Sequence, residues 1–235
     1  MLMRPAVLAA LVAAVSTPLG AQAPAQPQIP AKPAPVERLG PDTLRMGQVR
    51  IDTAKREVTV PGTVNDVPVL EFVANTKSRE KAYESALTLD TDGVTINTAL
   101  ILIGLDPAHA VAPAMHFDAA APKGDPVEIW VEWTDAHGKP RRIPAEELVF
   151  NASTNQTLPR GPWVYLGSGF NEAGYLADQI GVIVSFAHTP AAIIEHPSPA
   201  GVGNYGAWKL NPALSLRGDA PVTVTIRALP SPARK

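Results

Sequence analysis

Pro126-Val127-Glu128-Ile129-Trp130-Val131-Glu132-Trp133 decides the fold class. Val127, Ile129, Val131 and Trp133 share one side, and Glu128, Trp130 and Glu132 the other, which is the period of two of a half-buried strand. The polar side reads as a solvated face or as the border of a cleft. The same alternation occurs at Val49 and Ile51, then at Val58 and Val60. Between them Asp52-Thr53-Ala54-Lys55-Arg56 makes the loop of a predicted hairpin over residues 48–64. Residues 68–73, 163–166, 180–186 and 222–227 are further apolar, β-branched runs, completing a set of about seven strands.

One helix is expected. Asp92 is placed to cap it, Ile96, Ala99, Leu100 and Ile103 recur at helical spacing, and Gly104 and Pro107 stop it. Ile101, Leu102 and Leu105 fill the rest of its circumference, which predicts burial on several sides. Shorter helical turns are expected over residues 144–148 and 189–193, each with proline in the first turn. Residues 197–221 read as a long loop. The predicted fold is therefore α+β: a β-rich single domain of about seven strands, mainly antiparallel, with one buried helix and short helical turns.

Composition narrows the function. Lys and Arg number 20 against 22 Asp and Glu, with no basic run longer than a dipeptide, so the cationic footprint of a nucleic-acid binder is missing. Cysteine is absent, which removes disulfides, thiolate nucleophiles, cysteine zinc sites and ordinary iron–sulfur ligation. The 25 prolines punctuate the chain too often for a helical bundle.

Arg4 precedes an apolar run over residues 6–15, and small residues follow it up to Ala23. The run falls short of the roughly 20 residues that cross a bilayer, and the pattern is that of an export signal over residues 1–23, cut between 21 and 25. No transmembrane segment is expected after its removal. Pro24, Pro27, Pro30 and Pro33 recur every third residue, the repeat of polyproline II, and predict a stiff spacer over residues 24–45. A folded domain over 46–228 and a tail over 229–235 complete the organisation, and the product is expected to be periplasmic or secreted.

Motifs that suggest chemistry give way on inspection. Gly167-Ser168-Gly169 lacks the glycines two residues either side of serine that a nucleophile elbow needs, and reads as a tight turn. His109, His116, His137, His188 and His196 make neither HxH nor HExxH spacing. Asp90-Thr91-Asp92-Gly93 lacks the later ligands of a calcium loop, so turn and helix cap suffice. No metal or cofactor is implied. Trp130, Trp133, Trp163 and Trp208 read first as core and second as an aromatic binding wall.

Three stretches, taken in order, carry a family likeness: Lys81-Ala82-Tyr83-Glu84-Ser85, Asn97-Thr98-Ala99-Leu100-Ile101-Leu102-Ile103-Gly104-Leu105 and Pro162-Trp163-Val164-Tyr165-Leu166-Gly167-Ser168. Together with the hairpin before them, they resemble the YdjY-type domain of exported bacterial proteins over roughly residues 46–228. The resemblance implies an exported bacterial domain of unknown function and supplies no catalytic residue. Where that pattern has histidine before the glutamate, this chain has Tyr83, which cannot replace imidazole as a neutral-pH base or ordinary zinc ligand.

Lys81, Tyr83, Glu84, Ser85, Asn97, Trp163 and Ser168 are the candidate binding residues. The expected function is a non-catalytic binding or interaction module of the bacterial envelope, its partner an envelope protein or a small ligand. The alternative is a hydrolase whose site gathers Glu84, Ser85, Ser168 and a distant histidine. A histidine within hydrogen-bond reach of one of those serines, and itself touching a carboxylate, would decide for the enzyme.

Overall fold

A computed structural model describes residues 32–231. The export signal of residues 1–23 and the first three of the recurring prolines lie outside the described residues. Within them, β1 (Val36–Arg38), β2 (Thr43–Met46), β3 (Val49–Asp52) and β4 (Glu57–Val64) form an antiparallel meander. The expected hairpin is its β3–β4 part, with Asp52 opposite Glu57. Paired strands already begin at Val36, inside the stretch read as spacer.

The meander is followed by β5 (Phe72–Asn75), β6 (Ser85–Leu89), β7 (Asp125–Thr134), β8 (Pro140–Pro144), β9 (Val149–Asn151) and β10 (Gln156–Thr157). Then come β11 (Trp163–Tyr165), β12 (Phe170–Asn171), β13 (Gly174–Tyr175), β14 (Val182–Ser185), β15 (Ile194–Glu195), β16 (Trp208–Leu210) and β17 (Pro221–Ala228). Strands β4, β17, β7, β11, β15, β14, β5 and β6 pair in that order, and β6 returns to β4 through Gly62 opposite Leu89. Eight strands thus close a barrel. β1–β3 extend outward from β4, β8 pairs with β7, β9 joins β10 and β16 in a small sheet, and β12–β13 is a separate hairpin.

This corrects the expected fold class: among the described residues there are seventeen strands and a closed barrel, where about seven strands and one helix were expected. Strands as short as Ile194–Glu195 are below the length at which alternation registers. Closure depends on which strands become neighbours, which no local pattern encodes. The long strands do follow their alternation. Val58 and Val60 of β4, Val224 and Ile226 of β17, and Ile129 and Val131 of β7 are all essentially buried and fill the barrel together with Trp163 and Tyr165. The opposite face of β7 is solvated and charge-paired: Glu128 meets Arg227 at 3.1 Å, Glu132 meets Arg142 at 3.4 Å, and the Arg142 guanidinium lies over the Trp130 ring.

Two helices are described, α1 (Gly93–Leu102) and α2 (Leu176–Ile180). Asp92 caps α1 as expected, accepting from the Thr95 N–H at 2.8 Å. Asp178 of α2 accepts from the Gly93 and Val94 N–H groups, so two carboxylates face the positive end of α1. A Cβ on Gly93 would meet the Asp178 carboxylate and the Ala177 methyl inside 3.0 Å, which is why the first residue of α1 is glycine. The expectation that α1 is buried on several sides is also corrected. Ile96, Ala99 and Leu100 are buried, but Ile101 and Leu102 are 44% and 40% exposed, because only one flank meets β3 and α2.

Other short elements differ in kind from expectation. A 3₁₀ turn forms at Ala145–Glu147 inside the expected 144–148 segment, whereas residues 189–193 form a non-helical turn. The long loop of 197–221 contains β16 and two 3₁₀ turns.

Two strand pairs of the barrel run parallel, β5 with β6 and β14 with β15. Unlike a hairpin, a parallel pair needs a connection that crosses back over the sheet. Residues 76–84 and 186–193 are these crossovers, and both contribute to one cleft.

Candidate ligand-binding cleft

The first crossover ends in a 3₁₀ turn, Ala82–Glu84, that leads into β6. Because β5 and β6 start side by side, the Glu71 N–H reaches the Glu84 carbonyl at 2.9 Å, and their carboxylates come close to each other. Both side chains are nearly buried, with each residue 7% exposed. Burial, and the neighbouring Glu84 charge, push the Glu71 carboxyl up, while His116 and Lys81 oppose the rise.

Each carboxylate is covered by a basic group. The Lys81 ammonium bonds the Glu84 carboxylate and donates to the Tyr83 hydroxyl at 2.9 Å, with the Phe72 ring 5.7 Å below. Burial alone would lower the Lys81 ammonium, but its bonds to Glu84 and Tyr83 outweigh that and hold it above its ordinary value. His116 Nε2 lies 3.2 Å from Glu71 Oε2, and its ring packs on Phe117.

His116 comes from an irregular segment that a second, buried histidine fastens down. The Phe117 N–H donates to the His188 carbonyl, while the His188 ring lies between the carbonyls of Asp118, at 2.7 Å, and His196, at 3.0 Å.

Across the cleft stand Leu176 and Ile180 of α2 and the second crossover at residues 189–191. Three bonds hold this wall. Ser168 Oγ donates to the Ala191 carbonyl at 2.7 Å, the Tyr175 hydroxyl donates to the Gly167 carbonyl at 2.9 Å, and the Thr189 N–H donates to Glu195 Oε1 at 2.7 Å. Gly167 and Ser168 both have positive φ, 75° and 60°, but the expected tight turn does not form: residues 166–169 are an irregular link from β11 to β12. Behind the wall Phe72, Val182 and Ala192 form a small apolar cluster separate from the main core. The space between the walls is about 310 Å³.

The residues singled out in the sequence part company here. Lys81, Tyr83 and Glu84 stand together at the cleft. Ser85 is fully buried, and its hydroxyl has no partner. Asn97 accepts from the Tyr165 hydroxyl at 2.7 Å and so ties α1 to β11. Trp163 is core, packed edge-on against His196 with ring centroids 4.8 Å apart. Ser168 acts behind the wall through Ala191. Glu71, Phe72, His116 and Glu195 were not singled out. Glu71 and Phe72 fall inside an expected strand, and His116 enters the sequence reading only as one of five histidines without ligand spacing.

The serine–histidine arrangement of the hydrolase alternative is not found among the described residues. Ser168 is bonded to a carbonyl and Ser85 to nothing, and the imidazole–carboxylate pairs are His116 with Glu71 and His109 with Asp125 and Asp106. His196 receives the Ser198 N–H on Nδ1, faces the Pro159 carbonyl through Nε2, and has its pKa lowered by burial. Among the described residues no three His, Asp or Glu side chains are grouped to hold a metal ion, and no helix is long and apolar enough to cross a membrane.

Comparison with known proteins gives one match. The family model described as the YdjY domain matches residues 49–227. No curated protein and no solved structure matches.

Proposed function

Since this chain belongs to the YdjY domain family, whose molecular function is unknown, we propose that it is an exported protein of the bacterial envelope that binds a small ligand in the Lys81–His116 cleft without transforming it. The observation that carries this reading is the cleft itself. Its volume of about 310 Å³ lies at the lower end of the range typical of small-molecule sites, and its walls are mainly apolar with a few polar groups converging at one side. Both basic groups at that side are held from behind by a carboxylate, which limits their motion before any ligand arrives. The basic start and short apolar run of residues 1–15 support export.

An apolar fluorescent probe tests the cleft. 1-Anilinonaphthalene-8-sulfonate is expected to bind saturably with one site per chain, and Ile180→Trp, which fills the mouth from a position already 39% exposed, is expected to weaken it at least tenfold. Equal binding by the folded variant would overturn the cleft as the binding site. For export, N-terminal sequencing of protein recovered from the periplasm or medium is expected to begin between residues 22 and 26. A full-length cytoplasmic product would refute it.

A further inference from the structure

The chemistry of the cleft specifies its occupant further, and this inference rests on the binding reading above. We infer that the ligand is a small monocarboxylic acid with an apolar body, its carboxylate received between Lys81 and His116 and its hydrocarbon part laid against Phe72, Leu176 and Ile180.

The order of charges from inside to outside supports this. Glu71 and Glu84 are almost wholly buried, and one oxygen of each already faces a basic group, Glu71 Oε2 facing His116 and Glu84 Oε1 facing Lys81. The groups nearer solvent are the basic ones: the Lys81 side chain is 25% exposed and that of His116, whose Nε2 is turned to Glu71, is 41% exposed, so the Lys81 ammonium is the donor a ligand meets. An ammonium has three N–H groups. Glu84 takes one and the Tyr83 hydroxyl another, which leaves one for a ligand. Among the described residues one lysine and no arginine line the cleft, so the site suits one negative charge better than a phosphate dianion, which is typically held by several cations or a fork.

The rest of the cleft excludes a polar ligand. Phe72, Leu176, Ile180, Pro190 and Ala191 offer carbon surface and few side-chain hydrogen-bonding groups, so the hydroxyls of a sugar would lose water without replacement. A ligand ammonium would meet Lys81 directly, and the Phe72 face that would receive it is already under the Lys81 Nζ.

Three eight-carbon probes, octanoate, 1-octanol and octylamine, measured by titration calorimetry at pH 7 with the full mature protein, separate the possibilities. Octanoate is expected to bind at least tenfold more tightly than octanol, with octylamine weakest. The Lys81→Met, Glu84→Gln double variant, which removes the ion pair together and so leaves no buried charge unpaired, is expected to lose that tenfold preference while octanol binding stays within twofold. Ile180→Trp is expected to abolish binding of octanoate and octanol alike. Equal binding of octanoate and octanol, tighter binding of octylamine, or an unchanged preference in the double variant would overturn the carboxylate assignment. If none of the three probes binds while anilinonaphthalene sulfonate still does, and still depends on Ile180, the ligand class is wrong and the cleft stands. If that probe also ignores Ile180, the binding reading itself fails.

Discussion

Glu195→Gln is expected to remove most of a loss of stability that the native domain suffers between pH 5 and pH 9. Glu195 is fully buried on β15; one carboxyl oxygen accepts the Thr189 N–H and the other has no partner. Burial pushes its pKa from the ordinary 4.5 up to about 8, with the Thr189 N–H opposing the rise. The sign follows from proton counting. Between those two values the folded chain keeps a proton that the unfolded chain has released, so stability falls as pH rises and the loss is complete above the folded pKa. At 1.36 kcal/mol per unit the upper bound is roughly 4–5 kcal/mol. Urea unfolding at pH 5 and pH 9 reads the difference. Glu71 and Asp178, also raised by burial, contribute with the same sign in both proteins and cancel in the comparison. If native and variant proteins lose stability equally over that interval, Glu195 is not the protonated group.

Gly124→Ala is expected to cost about 3 kcal/mol or more and to lower cooperativity of unfolding, the upper part of the range for overpacked positions. Gly124 immediately precedes β7, where that strand meets the end of β11, and a Cβ there would stand 2.0 Å from the Tyr165 carbonyl oxygen. Backbone cannot yield as a flexible side chain would, so relief would have to come from separating β7 from β11. Gly161 provides the control. A Cβ there meets nothing within 4 Å, and Gly161→Ala should change stability by no more than about 0.5 kcal/mol. Equal losses in the two variants, by urea or thermal unfolding, would mean that β7 and β11 do not approach this closely at Gly124.

Legibility in the sequence followed length and locality. β4, β7 and β17 are eight to ten residues long, and their alternation was visible without any partner. The Asp92 cap was equally local. What could not be read was pairing: Phe72 lies beside Ser85 on one flank and Ser185 on the other, neighbours that come from three separate stretches. The same division runs through the cleft. Lys81, Tyr83 and Glu84 stand close together in the chain and are legible as a group through their likeness to a family. His116 is not, because its partner Glu71 is distant in sequence and the segment between them has no single period. Asn97 and Ser168 belong to the stretches that carry the family likeness, and their hydrogen bonds to Tyr165 and Ala191 are those of framework residues.

The position of β17 between β4 and β7 has a kinetic consequence. Residues 221–228 form the stave that joins two strands made far earlier, at residues 57–64 and 125–134, so a growing chain that has not reached residue 228 holds both of those strands with bare edges. Contacts so distant along the chain cost much entropy to form and make for slow folding. The architecture therefore delays collapse into the native state until synthesis of the domain is nearly finished, a timing that suits any polypeptide which must stay threadable before it folds.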